Sequence, residues 1–235
     1  MAMPATAPHD HSPLSTFHGI DADVATYCLE HAAIATAKRG ELLIQQGEKA
    51  RLVYVVRSGY AKMVSMSPDG HEVMVGIVGP RDVLGQAAVM DEERGYLVTA
   101  TALTGMEMAI WPRAKAMELA KKFPEVHARL DAQLAQNVEI LLGRVHTVSE
   151  GRVAQRLARV LLELAERHGE PRPPGVAILP PLTRQDLAAL TGTTLYSASR
   201  MLADWEHKGL LTTSRGSVRI RDVAGLTTIA ETPDR

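Results

Sequence analysis

The stretch Thr183–Leu211, TRQDLAALTGTTLYSASRMLADWEHKGLL, splits at Gly192 into two short helical segments. On a helix turning 100° per residue, Leu195, Ala198, Met201, Leu202 and Trp205 share one arc. Tyr196, Ser199, Arg200, Ala203 and His207 share the opposite arc. The first arc is expected to pack on the preceding helix through its Leu187, Ala188 and Leu190. The second arc is left free, with a Tyr, a Ser and an Arg pointing out together. Such a face suits a helix lying in a DNA major groove. Thr183, with Asp186 three residues on, is a cap for the first helix. Thr193 or Thr194 caps the second, and Gly209 follows its end. Beyond it, Leu210–Thr213 and Val218–Arg221 flank a Ser214-Arg215-Gly216-Ser217 turn. Val218-Arg219-Ile220-Arg221 alternates apolar and basic residues, as a half-buried strand does. The hairpin reads as a wing, with Arg219 and Arg221 on its wet face and Arg215 at its tip, where phosphates can be met. For each of these arginines, ordinary solvation is the plain alternative.

At 235 residues the chain has room for one large domain or two ordinary ones. Hydrophobic residues make up 46% and charged residues 23%, the balance of a soluble globular protein. No apolar run is long enough to cross a bilayer, so no membrane partner is expected. Met1 to Pro13 has neither the basic start nor the apolar core of a signal peptide and reads as a floppy tail. Cys28 is the one cysteine, which excludes an internal disulfide and a cysteine-ligated iron–sulfur cluster. A reducing cytoplasm is the expected location. The net charge of −1 conceals an asymmetry: residues 1–150 carry 14 Lys/Arg against 18 Asp/Glu, and residues 151–235 carry 12 against 9. The second part is therefore +3 and favours a polyanion through counterion release.

Lys38 to Trp111 is punctuated by glycines, with short apolar runs at Glu41–Ile44, Leu52–Val56, Ala61–Val64 and Glu72–Val75. Pro68-Asp69-Gly70-His71 is a turn signal between two of them. Regular short strands with Gly turns predict a β sandwich or barrel. His71 and the methionines here read as strand and core residues. Pro124 then opens a long helix. Val126, Leu130, Leu134, Val138, Leu141, Val145 and Val148 form one apolar seam along it. The expected partner of that seam is the same seam in a second copy; packing on its own β domain alone is the alternative. Gly151 starts a fresh segment, where Val153, Leu157, Val160, Leu161 and Leu164 make a further amphipathic helix. Gly169–Gly175 cannot be helical, and Val176–Leu179 reads as a short strand.

Leu182-Thr183-Arg184-Gln185-Asp186-Leu187-Ala188, then Gly192, Ser199-Arg200, and in the roll Gly40, Gly47, Gly59 and Asp82-Val83-Leu84-Gly85, resemble the Crp/Fnr family of bacterial transcription regulators. The resemblance runs from about Lys38 to Asp222. It implies an α+β chain with a cyclic-nucleotide-binding-type β-roll, a long dimerisation helix and a C-terminal winged helix-turn-helix. The corresponding expected ranges are a tail at 1–22, the roll at 23–123, the helix at 124–150 and the winged helix at 151–235. Its implied partners are double-stranded DNA at a palindromic site, a second copy of the chain, and RNA polymerase.

Departures from the family pattern concern the effector. Cyclic-AMP-binding members follow the glycine matching Gly85 with a Glu, where this chain has Gln86. Their phosphate-binding Arg-Ser falls, without gaps, on Tyr96-Leu97, and Arg94 is two residues out of register. A buried phosphate needs a charge-assisted partner, so an effector other than cyclic AMP is expected. Leu141 and Leu142 are expected to report that pocket across a dimer. The Fnr cysteine cluster is absent, and Gln86, Ala87 and Ala88 stand where the carbon-monoxide-sensing branch carries a His ligand. His9, His11 and His18 on the tail leave haem open as a cofactor, with solvated tail histidines the plainer reading. The wording Gly192–Arg200 and Trp205-Glu206 is most similar to the nitrogen-oxide-responsive regulators of denitrifying bacteria, which is the ground for a haem and nitric oxide reading.

By the same resemblance Arg200 matches the arginine that pairs with a guanine, and Ser199 a serine that touches a base. Tyr196 stands where a Glu is usual; it can donate one hydrogen bond or lie against a thymine methyl, but it accepts nothing as a carboxylate does. Leu195 replaces an Arg of the cyclic AMP branch, and the helix wheel places it on the buried side. Thr183, Arg184 and Thr194 match phosphate-contacting positions, and Ser197, His207 and Arg215 complete the expected contact set. Two other classes compete with a regulator gated by an effector. One is a constitutive dimer with an empty roll; the other is a winged helix used as a protein-binding surface. An enzyme is not expected: a cupin-like metal site would need several histidines, and His71 alone lies between Lys38 and Trp111. No glycine-rich phosphate loop, zinc motif or nucleophile elbow is present.

Overall fold

The computed structural model describes residues 19–67, 69–70, 72–90, 95–149 and 152–232, without the side chains of 87 and 144–149. The expectations for Met1–Pro13 with His9 and His11, and for His18, Pro68, His71, Arg94, Gly151 and the side chains of Val145 and Val148, lie outside the described residues. The chain divides into two units, one within residues 10–141 and the other within 142–235.

The first unit holds a helix α1 (Ala22–Glu30) and strands β1 (Ala33–Ala37), β2 (Leu42–Ile44), β3 (Leu52–Ser58), β4 (Ala61–Met66), β5 (Glu72–Val78) and β6 (Val83–Leu84). A single turn α2 (Ala87–Met90), strands β7 (Thr99–Ala102) and β8 (Met106–Pro112), and a helix α3 (Arg113–Lys122) follow. The strands make two antiparallel sheets, ordered β1-β8-β3-β6 and β2-β7-β4-β5. The four apolar runs read from the sequence are β2 to β5. β3 is buried on both faces, which is why its run Leu52-Val-Tyr-Val-Val has no polar alternation. Val53 and Val55 face Cys28 of α1 and Ala116 and Leu119 of α3 across a small apolar gap that Trp111, Val126 and Leu130 also line. The Trp111 indole donates to the Cys28 carbonyl at 3.0 Å, tying β8 to α1.

The long helix α4 (Pro124–Ser149) follows as expected, but its seam is not uniform. Val126 and Leu130 pack on the core of the first unit. Val138, Leu141 and Leu142 are 48%, 45% and 55% exposed. Between them Gln133 is 1% exposed. Its Oε1 accepts from Arg129 Nη2 at 3.2 Å, and the same nitrogen donates to the Arg81 carbonyl at 2.9 Å.

The second unit contains α5 (Val153–His168), β9 (Gly169–Pro171), β10 (Val176–Ile178), α6 (Arg184–Thr191), α7 (Leu195–His207), β11 (Leu211–Ser214), β12 (Ser217–Ile220) and α8 (Val223–Glu231). Its antiparallel sheet runs β11-β12-β10-β9. The Gly169–Gly175 segment, expected to be loop, opens with a strand paired to β10. Leu157, Leu161, Leu187, Leu190, Leu202, Leu211, Ile220 and Leu226 are fully buried and make the core. α8, which the sequence reading did not anticipate, is capped by Asp222 and lies on α5. The Gln155 amide ties both ends of this unit: its Oε1 accepts from Arg152 N at 2.5 Å, and its Nε2 donates to the Thr232 carbonyl.

Candidate nucleic-acid interface

Local chemistry sets the α6–α7 geometry. The Thr183 hydroxyl accepts from Asp186 N at 3.1 Å, and the Asp186 carboxylate accepts from Thr183 N at 2.9 Å, a reciprocal cap. α6 ends at Gly192 with φ 59° and ψ 41°, the left-handed conformation that glycine adopts without strain. The chain can then turn within two residues. Of the two threonines offered by the sequence, Thr194 is the cap of α7: its hydroxyl accepts from Ser197 N at 3.1 Å. Thr194 Oγ1 also donates to Ser197 Oγ at 3.0 Å, so the Thr194 hydroxyl is the one that the cap occupies as both donor and acceptor.

α7 buries Ala198, Leu202 and Trp205. Tyr196, Arg200, Ala203 and His207 are exposed on the other side, with Ser199 half-buried at the margin. Leu195 departs from the expectation. It is 47% exposed, not buried, because it is the first residue of α7 and α6 has already ended. A helix wheel gives direction but not how far a neighbouring helix extends. Leu195 lines an open cleft of about 600 Å³ together with Thr183, Arg184 and Gln185 of α6 and Thr213–Val218 of the wing. Arg215 stands on the rim of this cleft, in the Ser214–Ser217 turn that joins β11 to β12. The wing is fastened to α7 by a contact that the sequence did not suggest. The Glu206 carboxylate accepts from Thr213 N at 2.8 Å and from Thr213 Oγ1 at 3.1 Å. These two bonds, with a smaller contribution from the Arg184 charge, hold the Glu206 carboxyl below its ordinary range. Thr183, Arg184 and Arg215 therefore line one cleft of the second unit, which α7 meets through Leu195.

The residues proposed for an effector pocket are dispersed in character. Gly85 has φ +80°, and a Cβ there would stand 2.4 Å from the Leu52 carbonyl oxygen and 3.2 Å from the Tyr96 ring. Tyr96 is buried, and its hydroxyl is shared between Leu52 N and Leu52 O, both at 3.2 Å. β3 and β6 pair Tyr54 with Leu84 and Val55 with Val83. The next pairing position on Leu52 is vacated when the chain turns at Gly85, and the Tyr96 hydroxyl takes up both backbone groups. Leu97, its neighbour, is 59% exposed. Gln86 Nε2 is buried without a hydrogen-bond partner. Leu141 and Leu142 stand on the open part of α4.

Residues 155–229 match the Crp-like helix-turn-helix domain, and residues 35–123 match the cyclic nucleotide-binding domain. The two matches fall in the expected order on the winged helix and on the roll. The chain belongs to the Crp/Fnr family. Relatives of this Crp/Fnr protein include the CRP-like cAMP-activated global transcriptional regulator of Mycobacterium tuberculosis, 25% identical over 88% of this chain and 92% of that one. The cyclic AMP receptor protein of Thermus thermophilus is 27% identical, over 93% and 97% of the two chains. Among solved structures, a CRP-family transcriptional regulator from Thermus thermophilus superposes with a TM-score of 0.69 at 26% identity, covering 84% of this chain and 97% of that one. FixK2 of Bradyrhizobium japonicum shares the fold, with a TM-score of 0.74 at 20% identity over 86% and 99%. The chain is thus a DNA-binding transcription regulator of the Crp/Fnr type. Among the described residues of this Crp/Fnr regulator no helix is long and apolar enough to cross a membrane.

Proposed function

We propose that this Crp/Fnr protein binds a palindromic duplex as a homodimer and answers to an effector other than cyclic AMP. The observation that carries the DNA part is the outward row Tyr196, Ser199, Arg200 and His207 on α7, whose start is capped by Thr194, with Arg184 and Arg215 for phosphates on the cleft that Leu195 also lines. Thr183 and Thr194 stand at the two helix starts, where their hydroxyls serve the caps and set the position of α6 and α7 on the DNA backbone. Two copies related by a two-fold axis set their α7 helices about one DNA turn apart, ~34 Å. The open apolar part of α4 at Val138, Leu141 and Leu142 supports the dimer. RNA polymerase is the further partner of a regulator of this kind.

The effector part rests on Gln86 and Tyr96. Tyr96 brings no positive charge and spends its hydroxyl on Leu52, so Tyr96 offers a cyclic phosphate no charge-assisted bond. The Thermus and Mycobacterium relatives carry cyclic AMP in their names, and the proposal sets this chain apart from them in its effector while keeping the DNA-binding role. The histidines on which a haem reading depends, His9, His11 and His18, lie outside the described residues, and nothing in the proposal uses them. Calorimetric titration with cyclic AMP is expected to show no complex at micromolar concentration. A complex that is micromolar or tighter overturns the effector reading. Failure to retain any palindromic duplex at low ionic strength overturns the DNA reading.

A further inference from the structure

We infer that Leu195 and Tyr196 form an apolar corner that reads the methyl group of a thymine in each half-site. The inference rests on the DNA-binding reading and adds a determinant of sequence choice to it. Leu195 is 47% exposed and Tyr196 is 74% exposed, and they are the first two residues of α7. The other exposed side chains of the helix are charged or small: Arg200, Ala203, Asp204, Glu206 and His207. One surface Leu is ordinary by itself. Two large apolar side chains side by side at the leading end of a groove helix are a different matter. The amino-terminal residues of a recognition helix are those that meet base edges.

The cap fixes where this corner points. Thr194 and Ser197 are bonded to each other through both backbone and hydroxyl, so the start of α7 at Leu195 is capped. Leu195 has no helix to cover it, since α6 has ended at Thr191 and turned away at Gly192. On its open side lies the cleft shared with Arg184, whose exposed guanidinium at the start of α6 suits a phosphate. The groove edge next to a phosphate so held is what remains to cover Leu195. In the major groove every base edge presents hydrogen-bonding groups, and thymine alone adds an apolar one, the C5 methyl. A leucine has nothing to offer a polar edge, and covering it with one leaves that edge unpaired. Thymine is therefore favoured over every other base opposite the corner.

The test uses the full chain. A half-site is first selected from a randomised palindromic duplex, and each thymine in it is then replaced by deoxyuridine, which removes the methyl and keeps every hydrogen-bonding group. One buried methyl is worth about a four-fold change in affinity, so symmetric replacement in both half-sites should cost on the order of fifteen-fold. Leu195→Ala should abolish most of that penalty. Tyr196→Phe should keep it, which separates apolar contact from donation by the phenol. Arg200→Ala should bind more weakly and still show it. Salt dependence and thermal melting of Leu195→Ala should match the parent, which excludes a folding defect. The inference is overturned if no thymine shows a uracil penalty, or if the penalty is undiminished in Leu195→Ala. Failure to enrich any sequence is a failure of the DNA reading itself, and it appears before any uracil is introduced.

Discussion

Arg200 and Glu206 lie six positions apart on α7 and act through different chemistry. Arg200 is exposed, and its planar fork matches guanine O6 and N7 together. Arg200→Ala should cost about 1–3 kcal/mol in DNA affinity and relax choice at one base pair per half-site. Arg184→Ala should weaken all sequences alike and reduce the salt slope by about 1, since a phosphate contact carries no sequence information. Binding isotherms on selected and scrambled duplexes at several salt concentrations separate the two. Glu206 acts within the protein. Its two bonds from Thr213 favour the ionised carboxyl and lower its pKa. The folded-state value lies below the unfolded one, so the tie is complete above the ordinary carboxylate range. It is lost as pH falls through the lowered value. The Thr213 amide resonance should titrate with a midpoint below that of a free carboxylate. Glu206→Ala should remove that titration and speed hydrogen exchange at Thr213.

The elements differ in how far the sequence disclosed them. α6 and α7 were legible because their determinants are local: Thr183 with Asp186, the turn at Gly192, and the threonine before Leu195 all act within four residues. β1 and β7 were not, because alanine, which is depleted in strands, fills every second position of Ala-Ile-Ala-Thr-Ala and Thr-Ala-Thr-Ala, and both are held by partners far along the chain. The Tyr96 bond to Leu52 spans 44 residues, and no periodicity reports such a contact. The α4 seam was visible as a period, but a period does not name the neighbour. Its first turns are covered by the roll, while Val138 and Leu141 stay open. The dimer reading places its contact on that open part. Leu141→Asp should convert the protein to monomer in sedimentation velocity and weaken binding to a palindrome far more than to a single half-site, while Val126 and Leu130 keep the roll folded. An unchanged sedimentation coefficient would remove α4 from the interface.

Across the whole molecule, charge and connectivity divide the labour. The +3 half carries the groove helix and the −4 half carries the roll, so attraction to the polyanion is concentrated where the reading surface lies. In the half that matches the cyclic nucleotide-binding domain, Tyr96 spends its hydroxyl on Leu52 and brings no positive charge of its own, which is the ground of the proposed effector reading. Arg129 meanwhile ties α4 to the turn before β6 through the Arg81 carbonyl, and that turn leads directly to Gly85 and Gln86. Gln155 does something comparable in the other unit, where one amide holds the start of α5 and the residue just past α8. A clasp joining the opening and closing helices makes the reading head a closed circuit. Severed from the rest between 149 and 152, it should still melt cooperatively, and it should grip one half of an operator with no preference for symmetry.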